Sequence, residues 1–259
     1  MKHLYHFTSL QTCIEKILPD FSLKANNYNK TNDPRETFLW SFASTNNFNN
    51  EFNDNLIGAA FRIGYDIRKN AKVLCFTKEK TGARNEMMWS HYGTNHEGIC
   101  LEIDEEEFKK ENSLIFNLPL VYLENIDYSF TKYDDKPIFS NSQNNERSIV
   151  INSFIEKNYP YLFFKKSNYW SKEDERRFVA IIENWDGKLS IRNSLKSIII
   201  GIYCYEKYLS VIEELIKDTD INLKQCIFQI DTPRIKIIKR KRNDYSEHIL
   251  KKYLKKFNY

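Results

Sequence analysis

The opening of the chain alternates hydrophobic and polar residues and then changes to helical spacing. HLYHFTS has the period of a half-buried strand, and it ends at Ser9, a residue type favoured as a helix N-cap. Apolar residues recur at helical spacing through LQTCIEKIL, and Pro19 follows as a stop signal. This pattern predicts a strand followed at once by an amphipathic helix, with FSLKANN as a further short strand.

Patterned segments continue through the rest of the chain. Strands are predicted at AKVLCFTKE, HEGICLEID, LPLVYLEN, RRFVAII and LKSIIIGIYC, and a final strand pair at CIFQIDTPRIKIIKRK. Helices are predicted in EMMWSHY, which Gly93 ends, in most of NNERSIVINSFIEKNYPYLFFKKSNYW and in YEKYLSVIEELIKD. The segment NDPRE predicts a capped helix start with Pro34 at its first position and with Arg35 and Glu36 exposed to solvent.

The order of these elements indicates the fold class. Strands and helices alternate without a strict βαβ rhythm, and neighbouring strands are often close in sequence, which favours α+β over a doubly wound sheet. With only 7 Gly and 6 Pro in 259 residues, long flexible linkers are not expected. We therefore expect one domain over residues 1–259.

Composition and charge narrow the functional classes. The hydrophobic fraction of 41% and the aromatic fraction of 15% exclude a disordered chain. The net charge is only +4, but basic residues concentrate in a strand and helix at about residues 226–259. This stretch is either a nucleic-acid-binding surface or a solvated face, and its candidate phosphate contacts are Lys239, Arg240, Lys241 and Arg242.

Cysteine usage and hydropathy predict the compartment. The five cysteines are scattered, odd in number and without a CxxC pair, which is typical of buried free thiols in a reducing environment. The N-terminus has a strand pattern rather than that of a signal peptide, and no apolar run approaches about 18 residues. We expect a cytoplasmic protein that does not enter a membrane.

Several common catalytic motifs are missing. His91 and His96 are five residues apart, so HYGTNHEG is not the zinc motif HExxH, and we expect no metal. The sequence also has no GxSxG, GxxxxGK[ST] or GxGxxG.

Polar residues in two other segments remain as candidates. Glu173, Glu175 and Arg177 alternate, so in an extended conformation they share one face. They are either a charge pair of little energetic value or carboxylates fixed beside a cleft. His6 and Thr8 in YHFTS are likewise either the polar side of a strand or ligand contacts.

These segments resemble known families. The blocks LYHFTS, NDPRE, VLCFT, MMWSHYGTNHEGICLEID and KSNYWSKEDERRF resemble a widespread bacterial domain of unknown function over nearly the whole chain. LYHFTSLQTCIEKIL and the middle segment VLCFTKEKTGARNEMMWSHYG are also similar to the ADP-ribosyltransferases of the diphtheria-toxin and PARP type, including the DarT toxins. In these enzymes a strand carrying His-x-Thr or His-Gly-Ser precedes a helix over the NAD site. CFT stands here where their Ser-Thr-Ser triplet is expected, which leaves the subclass and the acceptor open.

The second resemblance implies a fold, a substrate and site residues. The fold would be ADP-ribosyltransferase-like, with a mixed, mostly antiparallel split sheet flanked by helices, and NAD would be the substrate. A carboxylate stabilises the charge that builds up on the ribose as the nicotinamide bond breaks. Glu175 would take this role, with Glu173 as its alternative or as the group that activates the acceptor. The NAD contacts would be His6 and Thr8 on the ribose and amide, Tyr92 or else Trp89 on the ring, and Arg177 or Arg84 on the pyrophosphate.

The resemblance also implies a biological setting. We expect a toxin or effector in antiphage defence that modifies RNA, DNA or a protein and has an antitoxin partner. Two rival hypotheses stay open: a non-enzymatic nucleic-acid- or protein-binding module, and a nuclease toxin that uses His6, His91 or His96 as acid and base.

Overall fold

The computed structural model describes residues 2–33, 36, 43–44, 64–130, 138–139, 147–205, 208–229 and 234–239. Its strands are β1 His3–Thr8, β2 Ser22–Lys24, β3 Asn26–Asn27, β4 Ala43–Ser44, β5 Ala71–Lys78, β6 Ile99–Asp104, β7 Val121–Asn125, β8 Asp127–Phe130, β9 Ile138–Phe139, β10 Lys165–Ser167, β11 Glu175–Ile181, β12 Lys188–Ser190, β13 Leu195–Ile200, β14 Asn222–Gln229 and β15 Arg234–Lys239.

Helical segments lie between these strands. The helices are α1 Leu10–Thr12, which continues as the π-helical segment Cys13–Ile17, α2 at 64–70, α3 Glu86–His91, α4 Glu105–Glu111, α5 Ser113–Phe116, α6 Arg147–Phe163 and α7 Leu209–Leu215. Short 3₁₀ turns occupy Tyr28–Lys30, Gly82–Arg84 and Asn168–Glu173. The predicted N-cap is confirmed, because the Ser9 side chain accepts a hydrogen bond from the Thr12 amide.

Among the described residues, the strands form one nine-stranded sheet and three two-stranded sheets. The main sheet has the order β15-β14-β13-β6-β1-β5-β11-β7, with β3 also paired to β5. Its neighbours are antiparallel except for the parallel pair β13 and β14. The small sheets pair β10 with β8, β12 with β2, and β4 with β9. The predicted α+β class with a mostly antiparallel sheet is confirmed.

The main sheet opens between β1 and β5. These strands share only the paired positions Leu4 with Lys78 and Tyr5 with Thr77, whereas β1 pairs with β6 along its whole length. On the same edge of β5, β3 pairs with Val73 and Lys72. No strand of the described residues therefore pairs with the middle of β5 on this edge, and the opening becomes the wall of a cavity.

Both faces of the sheet are covered. On β5 and β11 the alternation places Leu74 and Phe178 in one core cluster, with the helical segments near the N-terminus and α7. It places Val73 and Val179 in a second cluster, with residues of α6. Cys75 and Arg177 share the strand phase of Val73 and Val179, so their side chains lie on the α6 side.

None of the helices that the structure describes has the length and hydropathy needed to cross a bilayer.

Candidate functional site

A cavity of about 250 Å³ fills the opening between β1 and β5. Its apolar wall comes from β1, β5 and α3, and consists of Phe7, Val73, Leu74, Phe76 and Met88. Its polar wall consists of His6, Asn26, Asn27, Lys30, Thr31, Asn32, Glu36, Cys75, Tyr92, Lys166, Glu173, Glu175 and Arg177. An apolar wall beside convergent polar groups is typical of small-molecule sites.

A second cavity, of about 520 Å³, lies between α1 and α7. Its charged lining residues are Glu15 and Glu97, and the rest of its lining includes Leu10, Ile14 and Val211. It is larger, but it has no converging set of acids and bases. The smaller cavity is therefore the candidate site.

Arg177 is the innermost charge of this cavity and is fully buried. Its Nε and Nη2 donate to Glu175 Oε1 and Oε2 at 2.6 and 3.1 Å. Its Nη1 donates to Glu36 Oε1 at 2.5 Å and to the Phe163 carbonyl at 2.8 Å. The guanidinium is thus held by two carboxylates and the end of α6, a geometry that favours Arg over Lys.

Lys166 links Glu173 and Glu175, the two glutamates of the segment KSNYWSKEDERRF. Its Nζ lies 2.8 Å from Glu173 Oε2 and 2.8 Å from Glu175 Oε2, and its side chain is 3% exposed. The ammonium also lies 5.4 Å from the centre of the Trp170 ring. Attraction by the nearby carboxylates raises the pKa of Lys166 although burial alone would lower it, so this group stays charged.

Tyr92 and Asn32 form the outer end of the same chain of contacts. The Tyr92 hydroxyl donates to Glu173 Oε1 at 2.6 Å, and the Asn32 side-chain amide donates to the Tyr92 oxygen. Burial and the Glu173 carboxylate raise the pKa of the Tyr92 phenol, so it remains a donor at neutral pH. Asn32 is exposed and Tyr92 is half-buried, which places this pair at the mouth of the cavity.

A residue with left-handed backbone conformation, Asp174, places Glu173 beside β11. Glu173 ends the 3₁₀ turn Asn168–Glu173, and Asp174 follows with φ 48° and ψ 48°. The Asp174 carboxylate lies 2.7 Å from Lys78 Nζ and accepts from the Thr81 hydroxyl at 3.2 Å. Glu173 therefore does not share the extended strand of Glu175 and Arg177, yet all three residues line the cavity.

His6 closes the unpaired edge of β5. Its Nδ1 lies 3.0 Å from the Cys75 carbonyl, which can only accept, so Nδ1 carries the hydrogen. Burial lowers the pKa of His6, and the neutral ring therefore keeps a lone pair on Nε2. Among the described residues no group donates to Nε2.

Two other titratable groups have fixed protonation states. Burial alone would raise the pKa of Glu175, but attraction by Arg177 and Lys166 outweighs it and lowers the pKa to about 2. Burial raises the pKa of the Cys75 thiol well above its usual value, so this pocket cysteine is protonated rather than nucleophilic.

The structure brings together five of the eight predicted NAD-site residues, namely His6, Tyr92, Glu173, Glu175 and Arg177. Trp89 does not line the cavity: it is fully buried, its Nε1 donates to the Ala83 carbonyl at 2.7 Å, and its ring packs on Phe7. A stacking role for Trp89 is therefore wrong. Thr8 and Arg84 also lie outside the cavity, Thr8 buried beside Ile99 and Arg84 exposed.

Other predicted roles also change. Each guanidinium nitrogen of Arg177 already donates to a protein oxygen, so Arg177 is not available to a pyrophosphate. Lys239 is exposed at the end of β15, while Arg240, Lys241 and Arg242 lie outside the described residues. The five cysteines are free thiols: Cys13, Cys100 and Cys226 are buried and Cys75 and Cys204 are partly so.

Sequence reasoning missed three residues of the site. Glu36 was predicted to be exposed, but it is 3% exposed and bound to Arg177. Lys166 was not singled out, and Asn32 was not predicted to lie at the site. A signal did exist for Glu36, because the segment KSNYWSKEDERRF carries an arginine onto a predicted strand, and a buried arginine needs an acidic partner.

Comparisons with known proteins give a limited result. A family model described as "Protein of unknown function (DUF2971)" matches residues 88–178. The matched segment contains Tyr92, Lys166, Glu173, Glu175 and Arg177, whereas His6 and Glu36 precede it. No curated protein and no solved structure matches the chain. In the part of the chain that the structure describes, no group of three or more His, Cys, Asp or Glu residues is arranged to hold a metal ion.

Arg177→Met should destabilise the protein far more than Arg176→Met. The first change leaves Glu175 and Glu36 buried near a neutral side chain, which costs about 3–5 kcal/mol. Arg176, the matched control on the opposite face, binds Glu105 but is partly exposed, so about 1 kcal/mol is expected. The free energy of unfolding in urea is the measurement, and equal losses would contradict the central place given to Arg177.

Acid should destabilise the wild type more than Glu175→Gln. The folded pKa of Glu175 lies below its ordinary value of 4.5, so its stabilisation is present above that pH and is lost as the pH falls towards 2. Between pH 6 and pH 3 we expect about 2 kcal/mol more loss in the wild type than in the variant. Carboxyl-carbon NMR gives a second readout, in which a Glu175 midpoint above pH 4 would be incompatible with the ion-paired site.

Proposed function

We propose that this chain is an NAD-dependent ADP-ribosyltransferase and that the cavity between β1 and β5 is its NAD site. The proposal is carried by one observation. His6, Tyr92 and the pair Glu173 and Glu175 come from distant parts of the chain and line one cavity. The opening between β1 and β5 is also consistent with the split sheet that the resemblance implies, and so supports an ADP-ribosyltransferase-like fold.

The charges of the site suit cleavage of a glycosidic bond. As the bond to nicotinamide breaks, the ribose becomes like an oxocarbenium ion, and a fixed carboxylate stabilises that positive charge. We assign this role to Glu173 rather than to Glu175. Glu175 is held by three contacts from Arg177 and Lys166, whereas Glu173 lies beside Tyr92 nearer the mouth. Glu175 is then a positioning residue that holds Lys166 and Arg177.

The size of the cavity sets how NAD would bind. A volume of about 250 Å³ is below the usual range of about 300–1,000 Å³ for ligand pockets, so it suits a ring and a sugar rather than a dinucleotide. The nicotinamide ring would pack against Phe7, Phe76 and Met88, and the phosphates would remain at the mouth. Lys30 is exposed there and forms no ion pair among the described residues, so it replaces Arg177 as the proposed phosphate contact.

The nuclease alternative is less well supported. Of the three histidines that it would use, only His6 lines the cavity. His91 is exposed at the end of α3, and the His96 ring stacks on Trp89. An acid–base pair of histidines in this cavity is therefore not supported by the geometry.

The acceptor and the biological role extend the proposal. The basic segment at about residues 226–259, which contains Lys239, Arg240, Lys241 and Arg242, suits a nucleic-acid acceptor, RNA or DNA. A role as a cytoplasmic toxin or effector in antiphage defence, held in check by an antitoxin, follows from the resemblance to the DarT toxins. The same basic segment also supports the rival hypothesis of a non-enzymatic binding module.

Glu173→Gln should abolish release of nicotinamide from NAD. Loss of the charge beside the ribose is expected to lower kcat/KM by about 100-fold or more, and Tyr92→Phe by about tenfold, because Tyr92 orients Glu173. Chromatography of released nicotinamide is the measurement. Glu105→Gln is the matched control, since Glu105 also binds an arginine of β11 but lies outside the cavity.

Two results would contradict this assignment. One is full activity in a folded Glu173→Gln variant. The other is a folded wild type that releases no nicotinamide in the presence of RNA, DNA or cell lysate.

Charge reversal at Arg240 and Arg242 should separate the transferase from the binding module. In a transferase with a nucleic-acid acceptor, the double Glu variant loses transfer of label from NAD to RNA or DNA, because phosphate contacts are removed. Its acceptor-independent release of nicotinamide stays at the wild-type level. Labelled NAD and gel autoradiography measure the transfer. Loss of nucleic-acid binding in this variant, together with no effect of Glu173→Gln on any activity, would favour the binding module.

A further inference from the structure

Glu36, from the segment NDPRE, has no part in the chemistry described so far, yet it lines the cavity. Its side chain is buried, and its Oε1 accepts from Arg177 Nη1 at 2.5 Å. Its Oε2 is buried and has no hydrogen-bond partner in the part of the chain that the structure describes. A buried carboxylate oxygen without a partner is costly, so it points to a donor supplied by a ligand.

The charges around Glu36 indicate which kind of chemical group would supply that donor. The buried part of the cavity wall holds three carboxylates, Glu36, Glu173 and Glu175, against the two cations Lys166 and Arg177, while Lys30 lies exposed at the mouth. Both cations already donate to these carboxylates, and Arg177 also donates to the Phe163 carbonyl. The buried inner part of the wall thus carries an excess of negative charge and of acceptors. A ligand group that offers N–H donors would be favoured there, and an anionic group would be repelled.

The position of Glu36 in the cavity selects one part of the ligand. Asn32 and Tyr92 mark the mouth, Glu173 lies next, and Glu36 lies with Arg177 at the inner end. If the ribose of the ligand lies at Glu173, the group attached to that ribose reaches the inner end of the cavity. In NAD that group is the nicotinamide ring, which carries a positive charge and a neutral carboxamide.

We infer that Glu36 Oε2 accepts a hydrogen bond from the carboxamide N–H of nicotinamide and that Glu36 selects this head group against nicotinic acid. The inference rests on the proposed NAD site and adds the residue that discriminates between head groups. A nicotinic acid group would place a carboxylate against Glu36 and would offer no N–H. The segment NDPRE then has two roles, since Glu36 holds Arg177 with one oxygen and the ligand with the other.

The experiment compares nicotinamide riboside with nicotinic acid riboside by isothermal titration calorimetry. The wild type should bind the amide at least about 100-fold more tightly, because sites built to bind a donor reject ligands that lack it. In Glu36→Gln the affinities for the two ribosides should lie within about threefold of each other, because the neutral glutamine side chain no longer repels a carboxylate. Glu105→Gln, the matched control, should keep the wild-type ratio.

Thermal unfolding accompanies each titration, because Glu36→Gln also weakens the contact with Arg177. If that variant does not fold, Glu36→Asp replaces it. Asp keeps the negative charge, but its side chain is one methylene shorter, so the acceptor oxygen lies farther from the ligand. Glu36→Asp should therefore bind nicotinamide riboside about tenfold more weakly and still reject the acid.

Equal affinity of the wild type for the two ribosides, or binding of neither, would overturn the inference. An unchanged ratio in folded Glu36→Gln would also overturn it, as would wild-type affinity for the amide in Glu36→Asp. Turnover of NAD is assayed separately. If the protein releases nicotinamide normally but shows no head-group preference, only the role of Glu36 is rejected. The expected preference without any release rejects the transferase function and leaves the head-group selection standing.

Discussion

The buried guanidinium of Arg177 is the contact on which the rest of this structure depends. It joins β11 to Glu36 and to the end of α6, and so adds a polar contact where Val179 of β11 already packs in a core cluster with residues of α6. Buried ion pairs often stabilise a fold no more than hydrophobic residues of the same shape would. Removing one partner, however, leaves an uncompensated charge. This network therefore constrains the arrangement of the cavity more than it adds to stability.

That constraint explains why the cavity has its particular chemistry. The carboxylates of Glu173 and Glu175 are fixed from one side by Lys166 and from the other by Tyr92 and Arg177. Charges held in this way need little reorganisation when a positive charge develops beside them, which is what electrostatic catalysis requires. The opening between β1 and β5 supplies the space, and His6 satisfies the carbonyl that the missing strand pairing leaves free.

Local pattern predicted much of the fold and part of the site. Alternation identified β1, β5, β6 and β11, and Ser9 was identified as a cap, because these features depend on nearest neighbours in sequence. The shared face of Glu175 and Arg177 followed from the same period. The burial of Glu36 did not, because it depends on an arginine 141 positions away. The turn at Asp174 and the burial of Trp89 also arise from tertiary contacts, with Lys78 and Phe7.

A purely structural network would have little reason to carry three carboxylates against two cations in a buried wall, since each unpaired acceptor lowers stability. Among the carboxylate oxygens that line the cavity, the mismatch falls on one atom, Glu36 Oε2. Sites that bind ligands keep such unsatisfied groups because a ligand completes them, and the stability that is lost in the free protein becomes affinity and selectivity in the complex. Arg177 thus binds one oxygen of Glu36 and leaves the other oxygen of Glu36 for the ligand. This arrangement links the stability of the cavity to its specificity.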